Sequence, residues 1–337
     1  MKIVIPMAGW GTRMRPHTWS KPKPLVSVAG KTSLEHLMDM FSSIPAEFEV
    51  EYVFITGPYL GEMQIPPFVA AHYPGLKYCT VVQQEMKGQS HALLTAAEHL
   101  SGPMLMCFSD TLMETDFSFL SAELSDCVAW VKPVPDPRRF GVAEVDPQGW
   151  VTRFIEKPQS IDNNLVVVGC YYFRSAEQLL AAIQEQIARG LALKHEYFLT
   201  DAISLMIAGG ARVRTQHVDI WLDTGTIDAT LDTNRFLLEH GRRNDPGPLA
   251  ETNTIIQPVF IHPEAAVRHS TIGPYASIGA GCRIEHSRIE DSILEDGVTV
   301  AHAALVHSLV GRQAAISGKG TELPLQVNIG DNSRIEM

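Results

Sequence analysis

The chain has 337 residues, of which 45% are hydrophobic, and a formal net charge of -11. This length exceeds one ordinary core and predicts two domains; the acidic balance excludes a broad nucleic-acid surface, which needs clustered Lys and Arg against phosphates. No apolar run reaches the roughly 20 residues of a membrane helix, and the start MKIVIPMAG lacks the apolar core of a secretory signal. A cytoplasmic protein that meets neither membrane nor nucleic acid is expected. Its five cysteines have no CxxC spacing and read as reduced thiols rather than zinc ligands.

In chain order, β-rich runs at 2–6, 51–56, 77–82, 104–109, 127–131, 142–145 and 166–173 predict strands. Apolar residues recurring at three and four predict helices over 33–41, 90–100, 176–189 and 227–240. The alternation is that of an α/β domain, Rossmann-like, with a mixed, mainly parallel sheet over residues 1–240. Residues 241–258 open with GRRNDPGP, which has no periodicity and reads as a linker.

Over 259–337 the pattern changes. Phe260, Ala266, Ile272, Ile278 and Ile284 fall every six residues, and Val298, Ala304, Val310 and Ile316 resume the step after an offset. Ordinary strands repeat every two residues, whereas a six-residue repeat predicts a short left-handed parallel β-helix whose aliphatics point into its axis and whose small residues ease the corners. Such a solenoid covers edges of its own chain or of a neighbouring subunit, so a homo-oligomer is expected.

Basic residues concentrate in one place: Arg13, Arg15, Lys21, Lys23 and Lys31 lie in the first tenth of the chain, where an anionic ligand is to be sought. There the first strand runs into Ala8-Gly9-Trp10-Gly11-Thr12-Arg13, then Pro16, Thr18 and Pro22-Lys23-Pro24-Leu25. Glycines directly after a buried strand let backbone N–H groups reach a phosphate. The spacing is neither that of a dinucleotide fold nor that of a Walker loop. Gly-x-Gly-Thr-Arg followed by Pro-Lys-Pro-Leu instead resembles the signature loop of the sugar-1-phosphate nucleotidyltransferase family, and the whole chain resembles its long-form glucose-1-phosphate thymidylyltransferases.

The resemblance implies that Ala8, Gly9, Gly11 and Thr12 wrap a nucleoside triphosphate, with Arg13 on its β and γ phosphates and Lys23 near the α-phosphate. It places Gln83, five residues before Gly88, on the base; an amide offers a donor and an acceptor side by side, which suits uracil or thymine. Gln84 is the adjacent competitor. Asp110 and Asp223 are implied as ligands of one Mg²⁺, whose shell prefers hard oxygens, and Asp110 also belongs to the nucleotide site. On the sugar side, Lys157 holds the sugar phosphate, Glu156 and the backbones of Gly141 and Gly169 contact the sugar, and Glu196 is a further member. Asp201 reads as a helix cap.

Together these imply an in-line displacement: a sugar-1-phosphate oxygen attacks the α-phosphorus of dTTP or UTP, and pyrophosphate leaves. Arg13, Lys23 and Lys157 offset charge repulsion without a general base. Glucose 1-phosphate with dTTP is placed first. The short Ala8–Arg13 loop is similar to that of bacterial UDP-glucose pyrophosphorylases and keeps a UTP-dependent uridylyltransferase as the alternative. A catalytically silent paralogue on the same fold and an acyltransferase built on His262, His269, His286, His302 and His307 are the other readings.

Overall fold

A computed structural model describes residues 1–245, 247–320 and 323–337; Pro246 of the expected linker and Thr321 and Glu322 of the expected β-helix lie outside the described residues. By packing, the chain divides into two units, Met1–Gly9 with Leu37–Trp221, and Trp10–His36 with Leu222–Met337.

The first unit is built on a nine-stranded mixed sheet. Its strands are β1 (Lys2–Met7), β2 (Glu51–Thr56), β3 (Tyr78–Val82), β4 (Met104–Cys107), β5 (Cys127–Pro133), β6 (Gly141–Val145), β7 (Val151–Glu156), β8 (Leu165–Phe173) and β9 (Val213–His217). They run in the order β7-β6-β8-β4-β1-β2-β3, with β5 pairing both β8 and β9. Ile3, Val4 and Ile5 of β1 are fully buried, which explains a continuous apolar run in place of alternation: β1 lies between parallel neighbours and is covered on both faces. Parallel β1, β2 and β4 deliver their carboxyl ends to one edge, where an α/β sheet places its ligands.

Helices α1 (Leu60–His72), α2 (Gln89–Thr95), α3 (Ala176–Ala188) and α4 (Leu199–Ala208) accompany the sheet. Ser175 caps α3 by accepting the Gln178 N–H at 3.2 Å. Neither α1 nor α4 is anticipated by the sequence reading. Pro66 and Pro67 sit inside α1, and packing of Ile65 and Val69, both fully buried, overrides their poor propensity. Antiparallel β8 is interrupted between Val167 and Tyr171 by a register shift. Gly169 occupies that bulge at φ +89°, where a Cβ would stand 2.3 Å from the Phe108 ring.

The second unit begins with residues 10–36, three short 3-10 turns and a hairpin, Ser27–Val28 against Lys31–Thr32. Helix α5 (Ile227–Leu237) follows, and then three parallel sheets form the sides of the left-handed β-helix. Successive coils stack Thr254, Thr271, Arg288 and Ala304 over one another. The β-helix therefore starts at Thr254, within the segment expected as linker.

The coil length corrects the expected inward register at Phe260 and Ala266, whereas Ile272, Ile278, Ile284, Val298, Ala304, Val310 and Ile316 are buried as expected. Thr254 to Thr271 to Arg288 is a step of 17 residues, and Arg288 to Ala304 a step of 16, so each coil has at least one five-residue side. The inward series is Ile261, Val267, Ile272, Ile278, Ile284, Ile289, Leu294, Val300, Leu305, Val310 and Ile316. Ala266 is exposed, and Phe260 is only half-buried, its ring lying 2.5 Å from where a Cβ on Gly30 would be. Corners also differ from expectation: His269, His286 and His302 turn them with positive φ, and their rings stack at 5.0 Å spacing.

Candidate active site

In the first unit, Gln83 follows β3 and is 3% exposed, while Gln84 beside it is exposed. The Gln83 amide nitrogen donates to the Gly88 carbonyl at 3.2 Å and to His91 Nδ1 at 3.1 Å. His91 opens no second role for itself by charge: burial lowers its pKa and the nearby Lys87 adds to this, against Glu85. A neutral ring with Nδ1 as acceptor fits that environment. The sequence reading missed His91, although Gln83 and His91 both flank Gly88. Gly88 itself has φ +96°, and a Cβ there would meet the Tyr197 backbone at 2.6 Å. Close packing by the chain explains this glycine without appeal to a base.

Asp110 stands half-buried three residues beyond β4. Across the same unit, Glu156 ends β7 opposite Gly141, the first residue of β6. Thr200 Oγ1 donates to Glu156 Oε2 at 3.0 Å, and the Lys157 ammonium lies 4.0 Å from Oε1. Burial raises the Glu156 pKa, against the Thr200 hydrogen bond and the Lys157 charge. Lys157 has φ +47°, and its Nζ rests 4.2 Å from the Phe198 ring centroid, a cation–π contact. Backbone strain in a non-glycine residue is the mark of a position fixed by its surroundings. Glu156, Lys157 and Gly141 are thus brought together, with Phe198 and Thr200 as members the sequence reading missed. Gly169 serves the β8 bulge. Glu196 is exposed on a turn closed by mutual backbone bonds with Leu193. Asp201 is not the cap of α4: Phe198 holds that position without a side-chain bond, and Asp201 falls in the first turn.

In the second unit, Gly11 has φ +59° and begins the turn carrying Thr12 and Arg13, both exposed. Thr18 Oγ1 donates to the Gly11 carbonyl at 2.8 Å and fixes the bend. Lys23 begins a later turn of the same loop. Asp223 precedes Gly225, whose N–H donates to Asp223 Oδ1 at 2.6 Å. A Cβ on Gly225 would lie 2.6 Å from Asp223 Oδ1 and 3.3 Å from Arg13 Nη2, so the carboxylate and the guanidinium flank one glycine. Next to Asp223, the buried Thr224 hydroxyl has no hydrogen-bond partner among the described residues. Lys21 departs from the expected anion-binding set: it is 1% exposed and ion-paired with Glu295 and Asp331.

Among the described residues no group of three or more His, Cys, Asp or Glu is arranged to hold a metal. Within the second unit, Asp223 with the orphaned Thr224 hydroxyl beside it offers hard oxygens of the kind Mg²⁺ prefers; Asp110, in the first unit, offers another carboxylate of that kind. No helix among the described residues is long and apolar enough to cross a membrane.

The first unit thus carries a buried amide and a lysine–carboxylate pair, and the second unit, by itself, an arginine and an aspartate about one glycine. Residues 2–240 match the family model described as Nucleotidyl transferase, and residues 255–336 match one described as GMPPB C-terminal domain. The chain belongs to the nucleotidyl transferase family and is a nucleotidyltransferase, as the signature loop implied. It is 28% identical to a glucose-1-phosphate thymidylyltransferase of Streptomyces griseus over 100% of this chain and 99% of that protein. With the UTP–glucose-1-phosphate uridylyltransferase AglF of Haloferax volcanii it shares 32% identity over 67% of this chain and 91% of the relative. A solved structure of a putative glucose-1-phosphate thymidylyltransferase from Bacillus anthracis, in complex with a sucrose, shares the fold with a TM-score of 0.61 at 21% identity, covering 73% of this chain and 97% of that one.

Proposed function

We propose that this sugar-1-phosphate nucleotidyltransferase joins dTTP to glucose 1-phosphate, with UTP as the alternative nucleotide, and releases pyrophosphate. The observation that carries the pyrimidine reading is the orientation of Gln83. With its nitrogen donating to Gly88 and His91, the amide turns its oxygen to the ligand and accepts the N3–H of uracil or thymine; cytosine has an acceptor at that position.

In the reaction, a phosphate oxygen of the sugar 1-phosphate forms the new bond to the α-phosphorus. The bond to the leaving pyrophosphate breaks, and its electron pair departs with that group. Arg13 binds the β and γ phosphates, Lys23 the α-phosphate and Lys157 the sugar phosphate, so that anions meet without full mutual repulsion. Lys157 is supported in this role by the Phe198 face beneath it and by its fixed backbone. Glu156, oriented by Thr200, accepts from a sugar hydroxyl. Asp110 and Asp223 are the residues to hold Mg²⁺, which when bound supplies further charge neutralisation on the phosphates. We read the protein as a cytoplasmic homo-oligomer.

The test is pyrophosphate release with dTTP, UTP, CTP, ATP and GTP against glucose 1-phosphate and other sugar 1-phosphates. Turnover is expected to be fastest with dTTP or UTP and glucose 1-phosphate. A preference for ATP or GTP would overturn the Gln83 assignment.

A further inference from the structure

We propose that the β-helix is part of the catalytic apparatus because it holds the phosphate loop in register, with Lys21, Glu295 and Asp331 as positioning residues. The inference rests on the proposed role of Arg13 and Lys23 in binding the triphosphate.

Loop residues 10–26 meet the β-helix through a set of polar contacts within the second unit. Lys21, in the middle of the loop, is 1% exposed and donates to Glu295, fully buried, and to Asp331 at 2.8 Å. Both carboxylates are used on more than one side. Glu295 Oε1 accepts the Ser27 N–H at 3.0 Å. Asp331 accepts from Ser20 Oγ at 2.7 Å and from the Arg312 N–H at 2.8 Å. Burial pushes the Asp331 pKa up, but the bonds from Lys21 and Ser20 outweigh it and hold the group below its ordinary value. Arg312 also donates to the Leu25 carbonyl at 3.1 Å, and His17 Nε2 meets Asn328 Oδ1 at 2.6 Å. An apolar layer backs the polar one: Met14, Val26 and Val28 share a core cluster with Leu231 of α5 and with Ile293 and Leu309 of the β-helix.

The choice of a buried lysine is informative. A buried ion pair is often no more stabilising than apolar side chains of the same volume, because removing the charges from water costs as much as their attraction returns. Its directional bonds do fix a geometry. Lys21 lies two residues before Lys23, and Gly11 to Thr18 form a turn closed by their own hydrogen bond, so fixing Lys21 on one side and His17 on the other sets where Lys23 and Arg13 stand. An error of about 1 Å in a group that binds reacting phosphates costs on the order of a hundredfold in rate.

The experiment uses the full chain with Asp331→Asn, which keeps one acceptor oxygen for the Arg312 N–H, presents an amide NH2 to which the Ser20 hydroxyl can act as acceptor, and withdraws the charge facing Lys21. Asn328→Ala serves as a second variant, at an exposed position that leaves the buried set intact. Steady-state kinetics with each substrate varied and hydrogen exchange of residues 12–26 are read together. Asp331→Asn is expected to raise KM for the nucleotide about tenfold, to leave KM for the sugar phosphate within about twofold, and to speed exchange in the loop while 276–316 stay protected. Asn328→Ala is expected to move the same quantities in the same direction by about two- to threefold. Folded variants with wild-type nucleotide KM and unchanged loop exchange would overturn the inference, as would an equal rise in both KM values. A wild-type protein that turns over no nucleoside triphosphate would refute the proposed function instead, and loop exchange would still decide the anchoring.

Discussion

A glutamine amide can turn over at little steric cost, so the way it faces is set by its partners. At Gln83 those partners are the Gly88 carbonyl and His91 Nδ1, and the second is available only while His91 is neutral. Since burial and Lys87 lower the His91 pKa from 6.5, the ring is neutral at neutral pH and protonates on the acid side of that value. KM for the nucleotide is therefore expected to stay level at neutral pH and to rise on the acid side of the ordinary histidine value as the ring protonates. His91→Ala should give a higher KM that no longer follows pH. A wild-type profile that stays flat over the whole acid range in which the protein remains folded would refute the link. Glu156 titrates with the opposite consequence for stability. Its folded pKa is raised, chiefly by burial, so it favours the fold when protonated and this contribution is lost as pH rises through the folded value. Thermal unfolding should find Glu156→Gln more stable than wild type near pH 7.5, with the difference vanishing towards the ordinary Glu value. Asp223→Asn, in folded protein saturated with Mg²⁺, is expected to abolish pyrophosphate release; wild-type release would remove Asp223 from the metal site.

Elements were legible where their chemistry is local. The structure adds the caps Ser175 and Thr226 (its Oγ1 accepting the Ala229 N–H at 3.3 Å), but the first strand, its glycine turn and the starts of α3 and α5 read directly from neighbouring residues. Helix α1 did not, because Pro66 and Pro67 argue against it and only tertiary packing reverses them. The β-helix was recognisable from its repeat, but a fixed six-residue step drifts against a coil of 16 or 17 residues, and Phe260 and Ala266 were placed inside for that reason. The correction is measurable by chemical denaturation. Ile284→Ala should cost about 2–5 kcal/mol, whereas Ala266→Ser should stay within about 0.5 kcal/mol. Among candidate site residues, the motifs name those proposed to bind ligand, whereas the contacts of His91, Phe198 and Thr200 with Gln83, Lys157 and Glu156 are seen only in the structure. Their roles come from distances across the fold that spacing does not encode.

At the scale of the whole molecule, a chain with net charge -11 keeps its exposed Arg13 and half-buried Lys23 in a loop whose neighbouring lysine is neutralised. Spending Lys21 on Glu295 and Asp331 leaves the loop's positive character to Arg13 and Lys23, the residues proposed to bind phosphate. The expected homo-oligomer can be checked by light scattering, which should return a mass at a multiple of the 37.1 kDa chain; a single-chain mass at enzyme assay concentration would exclude it. The ion pairs of Lys21 span 274 and 310 positions of the sequence. A ribosome makes the glycine turn early and the two carboxylates that steady it much later, and at about 5–20 residues per second the interval is on the order of half a minute. A chain that stops before Asp331 thus carries every motif of the phosphate loop, together with Glu295, but lacks one of the two carboxylates that hold Lys21.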